Sequence, residues 1–292
     1  MAPRVVVVGD LVADVVVRLP GPVRPGTDTG AAISTSGGGS AANTAAWLAS
    51  LGLDVLLVAR VGDDLPGRSL AAELAAAGVA TALAVDPDRP TGALVSLVAP
   101  DGERSMLVDR GANDALRPAD VPDLAGADLL HLSGYALLHE GCRDAGLAAL
   151  AAAHAAGVPV SVDPSSAGPL RDAGPAEFLR WTAGCALATP NDAEAEVLTG
   201  SADPAAAAHE LGRHYRSVVV TCGADGAVAY AGGRLHWTRA PRAEVVDTTG
   251  AGDAYTAGLL AARLGGADWP EAMDAGAALA ARAVAAVGAR PR

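Results

Sequence analysis

The chain contains no lysine, and every basic side chain other than histidine is arginine. That absence excludes a phosphate-binding loop built on lysine and any Schiff-base chemistry. An anionic ligand must then be held by arginine, by backbone N–H groups or by a metal. Aromatic residues are scarce, at 3% of 292, so alanine, valine and leucine must fill the core. Cysteines are few: Cys142, Cys185 and Cys222 stand far apart with no CxxC spacing. They suit neither a disulfide framework nor a zinc site, and buried free thiols are expected. Positive charge is outweighed, leaving a net −12. Such a chain repels nucleic-acid backbones and anionic lipid, so neither nucleic acid nor a membrane is expected as a partner. Long apolar runs are missing as well. Met-Ala-Pro-Arg leads into a valine run that Gly9 and Asp10 break, too short for a signal peptide or a membrane span, and a cytoplasmic location is expected.

What is present supports a large folded core. Hydrophobic residues make up 51% of the chain and charged ones 18%, a balance that argues against disorder. Short apolar runs at 5–8, 55–58, 129–132, 158–162, 186–188 and 218–220 read as buried strands. Helices are expected at 40–51, 69–77, 143–156, 193–198, 204–215, 252–264 and 273–287. Strands alternating with helices argue for a parallel sheet with right-handed crossovers. A hairpin is expected at 226–238, and an Asp-Gly turn signal stands at Asp101-Gly102. More polar strand candidates at 13–35 and 91–109 suggest a small β-element leaving the parallel core as a lid. Ligands bind at the carboxyl ends of strands in such folds.

The most informative segment is Asp247-Thr248-Thr249-Gly250-Ala251-Gly252-Asp253. Small residues open a helix whose first N–H groups, over 250–253, can face an anion, and the helix dipole favours negative charge there. Asp253 is the one carboxylate in that first turn. Beside a phosphoryl group in transit, it could accept the proton of an attacking hydroxyl. As a purely structural residue it would only complement the dipole, worth under about 1 kcal/mol. A second glycine-rich helix start, Gly37-Gly38-Gly39-Ser40-Ala41-Ala42-Asn43, lets the backbone approach a ligand and supplies a donor and an acceptor at Asn43. Asn191-Asp192-Ala193-Glu194 follows a strand, and the same pattern is a helix cap. Thr221, Gly223 and Gly226 join a strand to the hairpin, where a plain turn would use the same glycines.

These motifs, in this order, resemble those of the ribokinase (PfkB) family over residues 9–288. The resemblance implies a three-layer α/β/α domain across 1–292, with a mostly parallel sheet and a small β lid from 13–35 and 91–109. It implies an ATP-dependent kinase using Mg2+. Asp253 is then the catalytic base, with Gly250, Ala251 and Gly252 as an anion hole. Asp247 and Thr249 would help hold a monovalent cation such as K+. The acceptor's hydroxyls fall to Gly38, Gly39 and Asn43, together with Asp10 or Asp14 after the first strand. Asn191, Thr221, Gly223 and Gly226 would lie along the nucleotide, and Glu194 near the Mg2+ through water. Ala277 would wall the adenine, at a position where the family often has asparagine.

The acceptor is less defined. Ribokinase proper has an Asn, a Lys and a Glu where this chain has Val12, Ser40 and Ser133, which puts ribose in doubt. Arg104 on the lid hairpin would suit an acidic sugar, and Arg110-Gly111-Ala112-Asn113 resembles sugar kinases more generally. A small sugar, a sugar acid or a nucleoside are the substrates to expect. The lid closes each site alone or clasps a second copy into a homodimer. The six histidines show no metal spacing and read as structural or surface residues. Two rivals stand beside the kinase. An NAD-dependent oxidoreductase needs Gly-x-Gly-x-x-Gly after the first strand, where Gly-Asp-Leu-Val-Ala-Asp stands instead. A non-catalytic sugar or nucleotide sensor would be expected to lose Asp253 or a signature glycine, and neither is lost.

Overall fold

Apolar runs without polar alternation are satisfied only by burial on both faces, and here they build a nine-stranded sheet. The computed structural model describes residues 2–101 and 104–291. In chain order the strands are β1 (Arg4–Val8), β2 (Val12–Arg18), β3 (Ala32–Gly38), β4 (Asp54–Gly62), β5 (Ala80–Asp86), β6 (Gly92–Val98), β7 (Arg104–Asp109), β8 (Leu129–Ser133), β9 (Val160–Asp163), β10 (Leu187–Ala188), β11 (Ser217–Thr221), β12 (Ala227–Ala231) and β13 (Arg234–Thr238). The helices are α1 (Ser40–Ser50), α2 (Leu65–Ala76), α3 (Tyr135–Leu138), α4 (Glu140–Ala156), α5 (Ala167–Ala173), α6 (Pro175–Trp181), α7 (Asp192–Thr199), α8 (Pro204–Leu211), α9 (Ala251–Leu264) and α10 (Trp269–Val284).

The large sheet has the order β13-β12-β11-β10-β9-β8-β1-β4-β5. Its pairs are parallel from β5 through β11, and β12 and β13 join antiparallel. The chain starts at β1 in the middle, builds outward to β5, then returns to β8 and builds the other way. Loops leaving the carboxyl ends of β1 and β8 therefore diverge and leave a crevice between them, the place where open α/β sheets take ligands. Apolar side chains on the two faces form separate cores. One lies under α1, α2, α9 and α10, and the other under α3 to α8. This is the expected three-layer α/β/α arrangement. Among the described residues no helix is long and apolar enough to cross a membrane.

A second sheet, in the order β3-β2-β6-β7, stands apart from the first. Its register puts Asp14 beside Leu94 and Leu94 beside Val108. Because side chains alternate between faces, Asp14, Leu94, Met106 and Val108 share one face. Ile33, Val17, Leu97, Val95 and Leu107 share the other. Gly102 of the expected Asp-Gly turn lies outside the described residues, as does the side chain of Arg104, whose backbone pairs with Val98 at the start of β7. Two helix starts lie a full turn earlier than expected. Asp64 accepts from the Gly67 N–H ahead of Pro66, and Asp268 forms a reciprocal cap with Glu271 ahead of Pro270. Each places a strong N-terminal signal a turn upstream of the first apolar repeat. The three thiols are free; Cys142 and Cys185 are buried and Cys222 is half-buried.

Candidate active site

The two glycine-rich helix starts, far apart in sequence, meet in space at one carboxylate. Asp253 accepts from the Ser40 hydroxyl at 2.8 Å and from the Asn43 amide Nδ2 at 2.9 Å. The walls around Asp253 desolvate it. This, with the charges of Asp163 and Asp10, outweighs the two hydrogen bonds and pushes its pKa up to about 7. Gly250 adopts a left-handed backbone, φ 76°, that turns the chain into α9. By their position in the first turn, the N–H groups of Gly252 and Asp253 have no intrahelical acceptor, whereas that of Ala251 reaches the Thr248 carbonyl at 3.3 Å. Of the N–H groups expected to stand free over 250–253, that of Ala251 is thus engaged, and those of Gly252 and Asp253 remain open.

Two cavities meet at this helix start. One, of about 500 Å3, is walled by small and apolar groups including Ala224, Val245, Ala277, Ala280 and Val284, and contains Thr221, Gly223 and Gly226. The other, of about 780 Å3, holds Asp10, Asp14, Gly39, Ser40, Asn43, Asn191, Glu194 and Asp253. Thr221, Thr248, Ala251 and Gly252 line both. A long ligand in the first cavity can therefore reach toward Asp253 past the open N–H groups of α9.

The structure brings most of the expected residues here and gives several a second task. Gly39 has no side chain to cap α1, and Asp10 does so from the loop after β1, accepting from Ser40 and Ala41 N–H at 3.3 Å each. Ser133 at the end of β8 donates to the same carboxylate at 3.4 Å. Asp14 lies against Gly38, where any Cβ would strike its carboxylate. Only 8% of Asp14 is exposed, and its Oδ1 is buried with no partner among the described residues. Burial pushes Asp14 up to about 6, against the pull of Arg290. An orphaned buried acceptor of this kind is costly and suits a hydroxyl-bearing ligand. Asn43 is engaged at both ends, since its Oδ1 accepts from Arg290 Nε at 3.3 Å.

Asn191 and Glu194 form a reciprocal cap of α7. Asn191 Oδ1 accepts from the Glu194 N–H at 2.9 Å, and Glu194 Oε2 from the Asn191 N–H at 3.0 Å. Both also line the larger cavity, so capping and site are one piece of structure. Burial pushes Glu194 up to about 7, and Asp192 and Asp253 add to it over the opposing bonds from Asn191. Asp163, at the end of β9, is raised well above the carboxylate range by burial and then by Glu194. Sequence reading missed Asp163, although it ends a buried strand ahead of a proline. Tyr135, Arg110 and His139 also line this cavity. His131, expected to be structural, is buried on β8, which pushes it down to about 4 and keeps it neutral. Asp247 is buried ahead of the turn into α9, accepting from Thr249 N–H and Oγ1 at 3.0 and 2.7 Å and from Gly288 N–H at 3.1 Å.

Known proteins with this architecture are numerous. The sequence matches the pfkB family carbohydrate kinase description over residues 2–292. It is 31% identical to a ribokinase of Arabidopsis thaliana over 99% of this chain and 78% of that one. The fold superposes on the adenosine kinase of Sinorhizobium meliloti with a TM-score of 0.90 at 28% identity, covering 99% of this chain and 96% of that one. It also superposes on the aminoimidazole riboside kinase of Salmonella enterica, solved with aminoimidazole riboside and an ATP analogue. There the TM-score is 0.80 at 28% identity, over 98% and 94% of the two chains.

Proposed function

The chain belongs to the pfkB family of carbohydrate kinases, and on that premise we propose that it moves the terminal phosphoryl group of ATP to a hydroxyl of a small sugar or nucleoside, with Asp253 as base. The observation that carries the reading is the junction of the two cavities at α9, where open N–H groups stand beside a single carboxylate. Nucleotide in the apolar cavity, between the Thr221–Gly226 turn and Ala277, directs its phosphates at the N–H groups of Gly252 and Asp253. The acceptor hydroxyl lies beyond, where Asp253 takes its proton as the new oxygen–phosphorus bond forms and ADP leaves. Orphaned Asp14 Oδ1 supports a role in gripping a second acceptor hydroxyl.

The carboxylates of Glu194 and Asp163 fit a divalent ion. Asp163 is raised by burial and the Glu194 charge, and Glu194 by burial and the charges of Asp192 and Asp253, a repulsion that a cation would relieve. Mg2+ takes one or two carboxylates and completes its shell with phosphate and water, which this pair would allow. Bound there, it supplies neutralisation of charge on the transferred group. Asp247 and Thr249 are the proposed holders of a monovalent cation such as K+. That ion would compete with the donors already on Asp247.

The second sheet, built from the expected lid residues, is proposed to cover the acceptor. Leu94, Met106 and Val108 give the larger cavity an apolar wall on that side, and Tyr135 and Pro169 line it as well. A bare sugar has little to place on such a wall, and a nucleobase does, so a nucleoside is the second reading. A coupled assay of ADP release across pentoses, ketohexoses, sugar acids and nucleosides tests both. Turnover confined to nucleosides selects the second reading, and no turnover on any class overturns the proposal. The outer face of the same sheet leaves Ile33 66% and Leu107 59% exposed, and a second copy of the chain is proposed to cover it. Sedimentation at twice the 28.8 kDa protomer mass is expected; a single protomer at assay concentration rejects the dimer.

A further inference from the structure

The end of the chain is threaded through the site. Residues 288–290 pass between α1, the glycine loop before it and the turn into α9. Trp47 Nε1 donates to the Ala289 carbonyl at 2.9 Å, and Ala289 lies so close to Gly250 that a Cβ there would sit 2.7 Å from it. Arg290 follows, with its side chain 8% exposed. Its guanidinium is spread over three acceptors on three segments. NH2 donates to the Gly38 carbonyl at 2.9 Å, NH1 to Glu73 of α2 at 2.9 Å, and Nε to Asn43 Oδ1 at 3.3 Å. The other end of that Asn43 amide donates to Asp253 at 2.9 Å.

An asparagine amide can face either way, and only its neighbours decide which. With nothing on Oδ1, the group could flip and set its oxygen against the Asp253 carboxylate, replacing a hydrogen bond by repulsion. A guanidinium can only donate, so Arg290 admits one orientation, with the oxygen toward itself and the NH2 toward Asp253. We propose that Arg290 is a positioning residue for phosphoryl transfer, fixing the Asn43 amide and the Gly38 carbonyl so that Asp253 stays ionised and aimed at the acceptor. No expectation from sequence included it. It lies far from every glycine motif and its neighbours are not visible in one dimension. The inference rests on Asp253 acting as the base.

Lysine cannot take its place, because an ammonium is a point charge without the planar fork that spans three acceptors. The charges that face Asp253 from other elements are Asp163 on β9, Asp10 after β1, Glu194 on α7 and Arg290 itself. Of these, only Arg290 favours the ionised base.

The test compares wild type, Arg290→Met and Arg290→Lys, using the acceptor found by the ADP-release assay and recording kcat, both KM values and the pH dependence of kcat/KM for acceptor. Arg290→Met is expected to lower kcat by roughly tenfold to a hundredfold, with the KM for ATP little changed, and to move the acid limb to higher pH. Arg290→Lys should fall close to Arg290→Met. A merely structural role would lower the folded fraction, read from the thermal melt, and leave the acid limb in place. A folded Arg290→Met with unchanged kcat and an unmoved limb overturns the proposal. If that variant does not fold, a folded Arg290→Lys with unchanged kcat does the same. An acid limb absent from wild type would instead strike the base assignment itself.

Discussion

Asp253→Asn is expected to lower kcat by about a thousandfold while nucleotide affinity holds or tightens. The substitution keeps the shape of the side chain and a partner for Ser40, but its amide accepts no proton from an attacking hydroxyl. Removing a negative charge beside the N–H groups of α9 takes away a repulsion that the nucleotide's phosphates would feel, so binding is not the step that suffers. Wild-type kcat/KM for the acceptor should rise with pH through about 7, since the base works only when ionised and its pKa stands there. The residual activity of Asp253→Asn should be flat across the same window. Stability gives an independent reading with the opposite sign. A carboxyl whose folded pKa is raised binds its proton more tightly in the native state than in the unfolded chain, so its contribution to stability is lost as pH rises toward 7. Asp253→Asn should therefore melt above wild type at pH 8 and gain less at pH 5, a cost that active sites commonly carry. Thermal melts at the two pH values check this. Undiminished turnover, or melting that shifts equally at both, would remove Asp253 from the base role.

Much of this arrangement is legible one residue at a time, because the chemistry and the local backbone coincide. Glycines at 37–39 and at 250 and 252 announce helix starts free of side chains, and the only carboxylate in the first turn of α9 follows from counting. The parallel order from β5 to β11 likewise follows from apolar runs separated by helices. What escapes is of two kinds. The short helices α5 and α6, seven residues each around Gly174, carry too little periodicity to stand out from a loop. Contacts made by long-range closure escape altogether. Asp10 reads as a ligand for the acceptor and proves also to cap a helix 30 residues on, and Asn43 proves to face Asp253 from 210 residues away. Asn191 and Glu194 read as a cap that need not exclude a metal shell, and in the structure the capping carboxylate at a buried helix start also faces the cavity.

The two glycines of the Gly250-Ala251-Gly252 turn should fail in different ways when each gains a methyl group. At Gly250 the backbone is left-handed, which costs an L-residue about 1–2 kcal/mol. A Cβ there would also stand 2.7 Å from the carbonyl oxygen and 2.8 Å from the Cα of Ala289. Backbone cannot rotate away as a side-chain tip can, so the clash must be relieved by moving the tail from the turn. Together these predict a loss of about 3 kcal/mol for Gly250→Ala, a fall in melting temperature of roughly 5–10 °C, and turnover reduced in step with the displaced helix start. Gly252 is different. A Cβ there meets nothing within 4 Å, and alanine favours a helix over glycine by up to about 1 kcal/mol. Gly252→Ala should fold as well as wild type, with its methyl standing at the junction of the two cavities, in the path from nucleotide to Asp253. Its expected signature is a KM for ATP raised by about tenfold or more with the melt unchanged. A Gly252→Ala enzyme with normal ATP affinity would mean that phosphates do not pass over the N–H groups of α9. A Gly250→Ala enzyme that melts normally would mean that the tail does not pack against the turn, which would also loosen the footing of Arg290.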